Sequence, residues 1–343
     1  MAIRHAVAVG LVLGTATATA TATAQAETLR VGPGERYAKP SAAIAAAAPG
    51  DTVLIAPGDY YDCVVIQTPR LTIAGDADGA VLTDATCQGK AILVIPGSDI
   101  TIRNLTLQRA RVADQNGAGI RAQGRNLTIE HVAFVNNQDG LLAAAAPDST
   151  IRIRDSMFER NGHCSETRCG NALTVGALAL LSVEDTQFRE QRQGHDIESN
   201  AARTELLGDE FSDGPAGVSG AFVALPQGGD LRVQDSRFEI GPNTSSPRAA
   251  ILLGAVDGGP ADARQTVTHS ILVGGGAAAT LVLNWGNAAP SVAENTVPPG
   301  MTTLSTHGAL WNRTHAQLYA IKTMLGKVAG LAKRAVAKVL SKV

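Results

Sequence analysis

Apolar and polar positions alternate along this chain in one short phrase: apolar-x-apolar-polar-polar-x-x-apolar, with Phe the usual last residue. Copies span 100–107, 127–134, 151–158, 181–188, 204–211 and 231–238, and a worn copy covers 266–272. The second apolar residue of each copy is Ile102, Ile129, Ile153, Val183, Leu206, Val233 and Val267, at intervals of 27, 24, 30, 23, 27 and 34. A fixed phrase at a loosely constant period of this size marks a solenoid. The period-2 alternation inside the phrase predicts a strand with one buried face. No single copy can bury that face alone, so the copies must stack.

A second apolar stretch lies between copies, at Gly119–Ala122, Gly140–Ala143, Ala172–Val175, Asp196–Glu198, Ala221–Val223 and Ala249–Leu252. Two or three strands per coil, with no helical pattern between them, predict an all-β fold, a parallel β-helix. A leucine-rich repeat would need its leucine consensus and a helical segment in each turn.

The ends differ from the body. Residues 1–26 read as a signal peptide: Arg4 and His5, a short apolar run from Ala6 to Leu13, then Ala24-Gln25-Ala26 before Glu27. This places the protein in the periplasm or the medium. Residues 27–60 form an N-terminal cap, with an Ala-rich helix between Ser41 and Pro49. The β-helix occupies 61–289 and a linker 290–313. Residues 314–343 form a basic amphipathic helix: Leu318, Ile321, Leu325, Val328, Ala332 and Val339 fall on one face, Lys327, Arg334 and Lys338 opposite. Two roles fit this helix, peripheral contact with an anionic membrane and a cap on the last coil.

Composition agrees with stacked coils and tight turns, with 36 glycines and only 3% aromatic residues in 343. The net charge of -2 gives no global field toward nucleic acid, and a monomer is expected. Four cysteines suit an oxidising compartment. Three pairings are open. Cys63 and Cys87 lie one coil length apart, and Cys164 and Cys169 share a loop, which favours 63–87 and 164–169. No Cys-x-x-Cys or histidine pair supports a metal, no motif supports calcium, and no cofactor is expected.

The richest polar stretch is His195 to Asn200. With Ile197 inward, Asp196 and Glu198 would both face out, about 7 Å apart by the strand rise. That spacing suits a two-carboxylate hydrolase or a cation site. His195 would serve as the base of a lyase. On neighbouring coils Arg121 and Thr174 are expected to face out near Glu198, with Arg121 holding a substrate carboxylate and Arg203 one turn later. Outward residues on a solenoid strand are also polar simply because they meet water. Asn136, Asn137 and Asn161 read as stacked turn residues. His163, Glu166 and Arg168 lie in the Cys164–Cys169 loop, for which two roles are open, the wall of a groove and surface decoration.

The run from Ala43 to Tyr61, Ala-Ile-Ala-Ala-Ala-Ala-Pro-Gly-Asp-Thr-Val-Leu-Ile-Ala-Pro-Gly-Asp-Tyr-Tyr, with Leu71-Thr-Ile-Ala-Gly75 after it, resembles the N-terminus of pectin-lyase-like β-helix proteins. The resemblance covers about residues 29–285 and implies a right-handed parallel β-helix acting on acidic polysaccharide. Gly194-His195-Asp-Ile-Glu198-Ser199-Asn200-Ala201, Leu225-Pro226 and Gly241-Pro242-Asn243 are similar to landmarks of a group of secreted bacterial β-helix proteins whose first landmark reads Gly-His-x-x-Lys-Ser-Arg-Ala. Here Glu198 stands at the Lys, Asn200 at the Arg and Ala224 at an Asp. The segment Asn171–Gly176 lacks the group's His and Tyr. These departures remove the cationic and phenolic groups that the resemblance would assign to a uronate lyase. Two functions follow as expectations: a lyase or epimerase with His195, Asp196 and Glu198 catalytic and Arg121, Thr174, Asn200 and Arg203 binding, or a non-catalytic carbohydrate-binding or envelope protein on the same scaffold.

Overall fold

The computed structural model describes residues 25–306 except 78, 166–168, 246–247 and 257–258. The helix expected at 314–343, most of the expected signal peptide and of the 290–313 linker's end, and Glu166 and Arg168 lie outside the described residues.

The chain is a right-handed parallel β-helix. One parallel sheet has eighteen strands and collects the repeated phrase, while a second has ten strands, one from each coil's second apolar stretch. The register read from the sequence is the register of the fold. Ile102, Ile129, Ile153, Val183, Leu206, Val233 and Val267 pair in succession. Each is buried. The helix Pro40–Ala46 packs on the first coils and sends Ala43 and Ile44 into the core.

The two polar positions of the phrase make a corner. Asn104, His131, Asp155, Asp185, Asp235 and His269 all hold φ between 49° and 54°, and Gly208 completes the column at 72°. Asn, Asp and Gly tolerate this left-handed conformation best, which explains the residues found there. The last phrase position forms a ring stack. Phe134, Phe158, Phe188, Phe211 and Phe238 lie 4.4–4.9 Å apart between consecutive centroids, with nearly parallel planes. This is the offset stacking aromatic faces favour.

Polar side chains also stack inside the coil. Ser156, Thr186, Asp209, Ser236, Ser270 and Asn295 each accept a hydrogen bond from the backbone N–H one coil earlier. Asn137 and Asn161 form a second ladder: Asn161 Oδ1 accepts from Asn137 N and Nδ2, and Asn161 Nδ2 donates to Phe134 O. Both are buried, as stacked turn residues require. Asn136, beside them, takes a positive φ and faces outward instead. The disulfides join Cys63 to Cys87 and Cys164 to Cys169.

Candidate functional site

The strand Ile197–Ser199 belongs to the ten-stranded sheet and points Ile197 and Ser199 inward, leaving Glu198 half-buried on the outside. Asp196 does not face out beside Glu198. It precedes the strand in a bend, where alternation has not begun, and is buried. The register sets it in the inward column Ile92, Gly119, Gly140, Ala172, Asp196, Phe222 and Ala250. Burial, with Asp213 nearby, raises its carboxyl well above the usual range. Asp213 is itself buried and accepts from the Ser219 and Thr244 hydroxyls. The pair of outward carboxylates expected at 196 and 198 is absent.

Thr174 lies directly beside Glu198 in register. Arg121 does not adjoin it. The outward row runs Arg121, Leu142, Thr174, Glu198, so Arg121 stands three coil rises away, about 14 Å at ~4.8 Å per coil. Arg203 starts the strand Arg203–Leu207 in the other sheet and pairs with Glu205. The Oδ1 of Asn200 is buried without a partner among the described residues. One side chain organises the row: Asn171 donates from Nδ2 to Thr174 Oγ1 (2.9 Å) and Glu198 Oε2 (3.2 Å), and its Oδ1 accepts from His195 N (2.8 Å). The His195 ring turns toward the next coil. Its Nδ1 lies 2.9 Å from Ala221 O and 3.2 Å from Ala221 N, over the bare Gly220.

A cleft of about 370 Å³ opens one turn away. It is walled by His163 and Cys164, but it lies over turn residues rather than over Ile197–Ser199. Its floor is a single column. Ala110 N donates to Asn137 Oδ1, Asn137 N to Asn161 Oδ1, and Arg192 N to Asn161 O. The next positions outward are therefore Arg111, Gln138, Gly162 and Arg192, one per coil. All four line the cleft, with Gln193 and Asn137 beside them. Gly162 is required there. Its φ is 93°, and a Cβ would lie 2.2 Å from Gln193 O and 2.4 Å from Gln191 Nε2.

The cleft is cationic. Arg111 donates through Nη1 to the carbonyls of Ala110 and Asn136 and through Nη2 to Asn136 Oδ1 at 2.7 Å, which aims its guanidinium. Burial, and then the charge of Arg192, hold Arg111 below the usual guanidinium value. Arg192 makes no ion pair among the described residues, and no carboxylate is among the cleft's described lining. His163 Nε2 lies 3.1 Å from Gln115 Oε1. Donation to that oxygen leaves Nδ1 with a free lone pair. Two exposed arginines and a histidine at the mouth of the cleft can receive an anion and move one proton. They cannot supply the carboxyl pair that glycoside hydrolysis uses.

Sequence reasoning placed His163 beside a groove but missed Arg111 and Arg192. The signal was available: both follow a ladder residue by one position, Arg111 after Ala110 and Arg192 after Gln191. Among the described residues no group of three or more His, Cys, Asp or Glu side chains is placed to hold a metal ion.

No protein-family model matches the chain, and no curated protein does. Among solved structures, the chain is similar to an alginate lyase from Paenibacillus sp. str. FPU-7, with a TM-score of 0.65 and 17% identity over 82% of this chain and 98% of that one. A pectin methylesterase from Aspergillus niger aligns at a TM-score of 0.45 and 11% identity, over 82% of this chain and 86% of that one. A pectin methylesterase from Yersinia enterocolitica gives 0.40 and 11%, over 81% and 96%. At these identities the alginate lyase likeness establishes the shared β-helix fold.

Proposed function

We propose that this protein acts on an acidic polysaccharide outside the cytoplasm, receiving a uronate carboxylate between Arg111 and Arg192. The observation that carries this is the cleft itself: two arginines at the ends of one column, a glycine gap between them and no carboxylate in the described lining, Asp84 near Arg111 being paired with Arg109. An anion would relieve their repulsion and take charge-assisted hydrogen bonds from both. The alginate lyase of the same fold supports a uronate polymer as the class of ligand. The disulfides support an oxidising setting, and the leader at 1–26 is the route we propose to it.

The chemistry this set supports is β-elimination. Neutralising the carboxylate acidifies the adjacent C5 proton. His163 Nδ1 takes that proton as general base, the C4–O bond breaks, and a C4=C5 double bond forms. Water protonates the leaving oxygen, since the described lining holds no phenol or ammonium. Epimerisation shares the first step and returns the proton to the other face.

A second reading, a binding protein that does not cleave, is favoured by a specific observation. His195 is tied to the Ala221 backbone and Asp196 is buried, so two of the three groups expected to act on the outer row are committed to structure. Incubating the protein with a panel of uronate polysaccharides separates the readings. Ultraviolet absorbance from unsaturated ends, lost in His163→Gln, supports elimination. Affinity without absorbance or epimerised product supports the binding protein. No affinity for any uronate chain overturns both.

A further inference from the structure

Six residues beyond Arg192 the chain reaches a second surface of opposite character. From Arg192 the chain runs through Gln193 and His195 to Glu198 within one coil. Gln191 Nε2 fixes this turn by donating to Gln193 O (2.7 Å) and His195 O (3.2 Å), and Asn171 holds His195 N. Arg192, at the end of the arginine column, and Glu198 are thus joined by one braced turn.

At Glu198 the row carries a negative charge. Asn171 is buried, and both of its amide hydrogens are used, one on Thr174 and one on Glu198. What remains outward is the second oxygen of Glu198, an acceptor, and the Thr174 hydroxyl, which accepts from Asn171 and keeps its own hydrogen to donate. The positions next in register on either side, Leu142, Ala224 and Leu252, are apolar and buried. Its cation, Arg121, is three coils from Glu198. A ligand group at Glu198 must therefore bring hydrogen-bond donors and no negative charge. A carboxylate there would face Glu198 with no cation beside it in the row among the described residues.

We propose that the protein recognises a heteropolysaccharide, seating a uronate on Arg111 and Arg192 and a non-acidic sugar against Thr174 and Glu198. This rests on the reading of the cleft given above and adds a rule of sequence: the sugar next to the bound uronate is neutral or carries an amine. Chains with a uronate at every position are disfavoured.

The test is calorimetric titration of the full chain with oligosaccharides of equal length: uniform uronate, uronate alternating with neutral hexose, and uronate alternating with a free-amine sugar. The alternating chains should bind about tenfold more tightly than the uniform chain, the effect of one like-charge contact near a surface. In Glu198→Gln, which keeps shape and removes charge, the uniform chain should gain and the difference should close. An amine chain that alone loses affinity in this variant identifies the amine as the preferred donor. Equal behaviour of the two alternating chains identifies the hydroxyl. A wild-type protein that binds uniform chains as tightly as alternating ones, or a preference unchanged in Glu198→Gln while circular dichroism shows the fold intact, overturns the inference. Failure of every chain to bind overturns the cleft reading instead.

Discussion

Arg111 and Arg192 stand at the two ends of one four-residue column, three coils apart, close enough for the charge of Arg192 to act on Arg111 and without a carboxylate among the residues between them. This relationship has a measurable consequence. Arg111→Gln and Arg192→Gln should each weaken binding of a uronate chain by about tenfold to a hundredfold, the worth of a charged hydrogen bond. The double variant should lose less than the sum, because each single change already removes the repulsion. Thermal stability should hold in Arg192→Gln, since no ion pair among the described residues is lost. Calorimetry and a melting curve read both.

The two histidines should separate cleanly. His163→Gln should lower turnover by about a hundredfold or more while leaving affinity largely in place, as loss of a general base does. His195→Ala should lower the melting temperature, because the ring holds the Ala221 backbone over Gly220. Its remaining activity should follow the folded fraction. Parallel kcat and melting measurements on the two variants check this.

Asp209 makes the solenoid pH-sensitive. It sits in the polar ladder with Oδ1 accepting from Thr186 N and Oδ2 without a partner among the described residues. Burial raises its carboxyl to about 8. Its folded value therefore lies above the unfolded value of about 3.9, so the folded state binds the extra proton. Stability is full below about pH 4 and falls as pH rises toward about 8. Asp209→Ser restores the residue found at Ser156, Ser236 and Ser270. It should match the parent near pH 4 and exceed it by a few kcal/mol near pH 8 in denaturant titrations. Asp196→Ala, which restores the residue of Ala172 and Ala250 in its column, should stabilise in the same direction.

Asn161→Ala should destabilise the fold by about 2–3 kcal/mol, because it leaves Asn137 N and Phe134 O unpaired inside the coil. Chemical denaturation gives the value. A loss under about 0.5 kcal/mol would mean that the ladder does not brace the cleft floor.

The sequence carried the fold to the level of register. Every pairing from Ile102 to Val267 could be read from one repeated phrase, because the outcome of a buried period-2 face depends only on spacing. The disulfides were legible for a similar reason, since their cysteines lay one coil or one loop apart. The site was less legible. Asp196 was read outward by extending strand alternation one residue too far, into a bend where Gly140, Ala172 and Asp196 all turn inward. Arg121 is expected near Glu198 from the sequence, but the coils carrying Leu142 and Thr174 lie between the two. Arg111 and Arg192 were passed over because they are 81 positions apart in a chain rich in exposed arginine. Only the stacking of turns makes them neighbours, and turn lengths vary where strand lengths do not.

The central claim is that Arg111 and Arg192 together hold a uronate carboxylate. The most direct measurement is calorimetric titration of a uronate-containing oligosaccharide into the parent protein and into the Arg111→Gln/Arg192→Gln double variant. The account predicts saturable binding that weakens at high salt and is lost in the double variant, while circular dichroism shows the β-helix still folded. Binding that survives in the double variant, or a parent protein that binds no uronate chain, would contradict it.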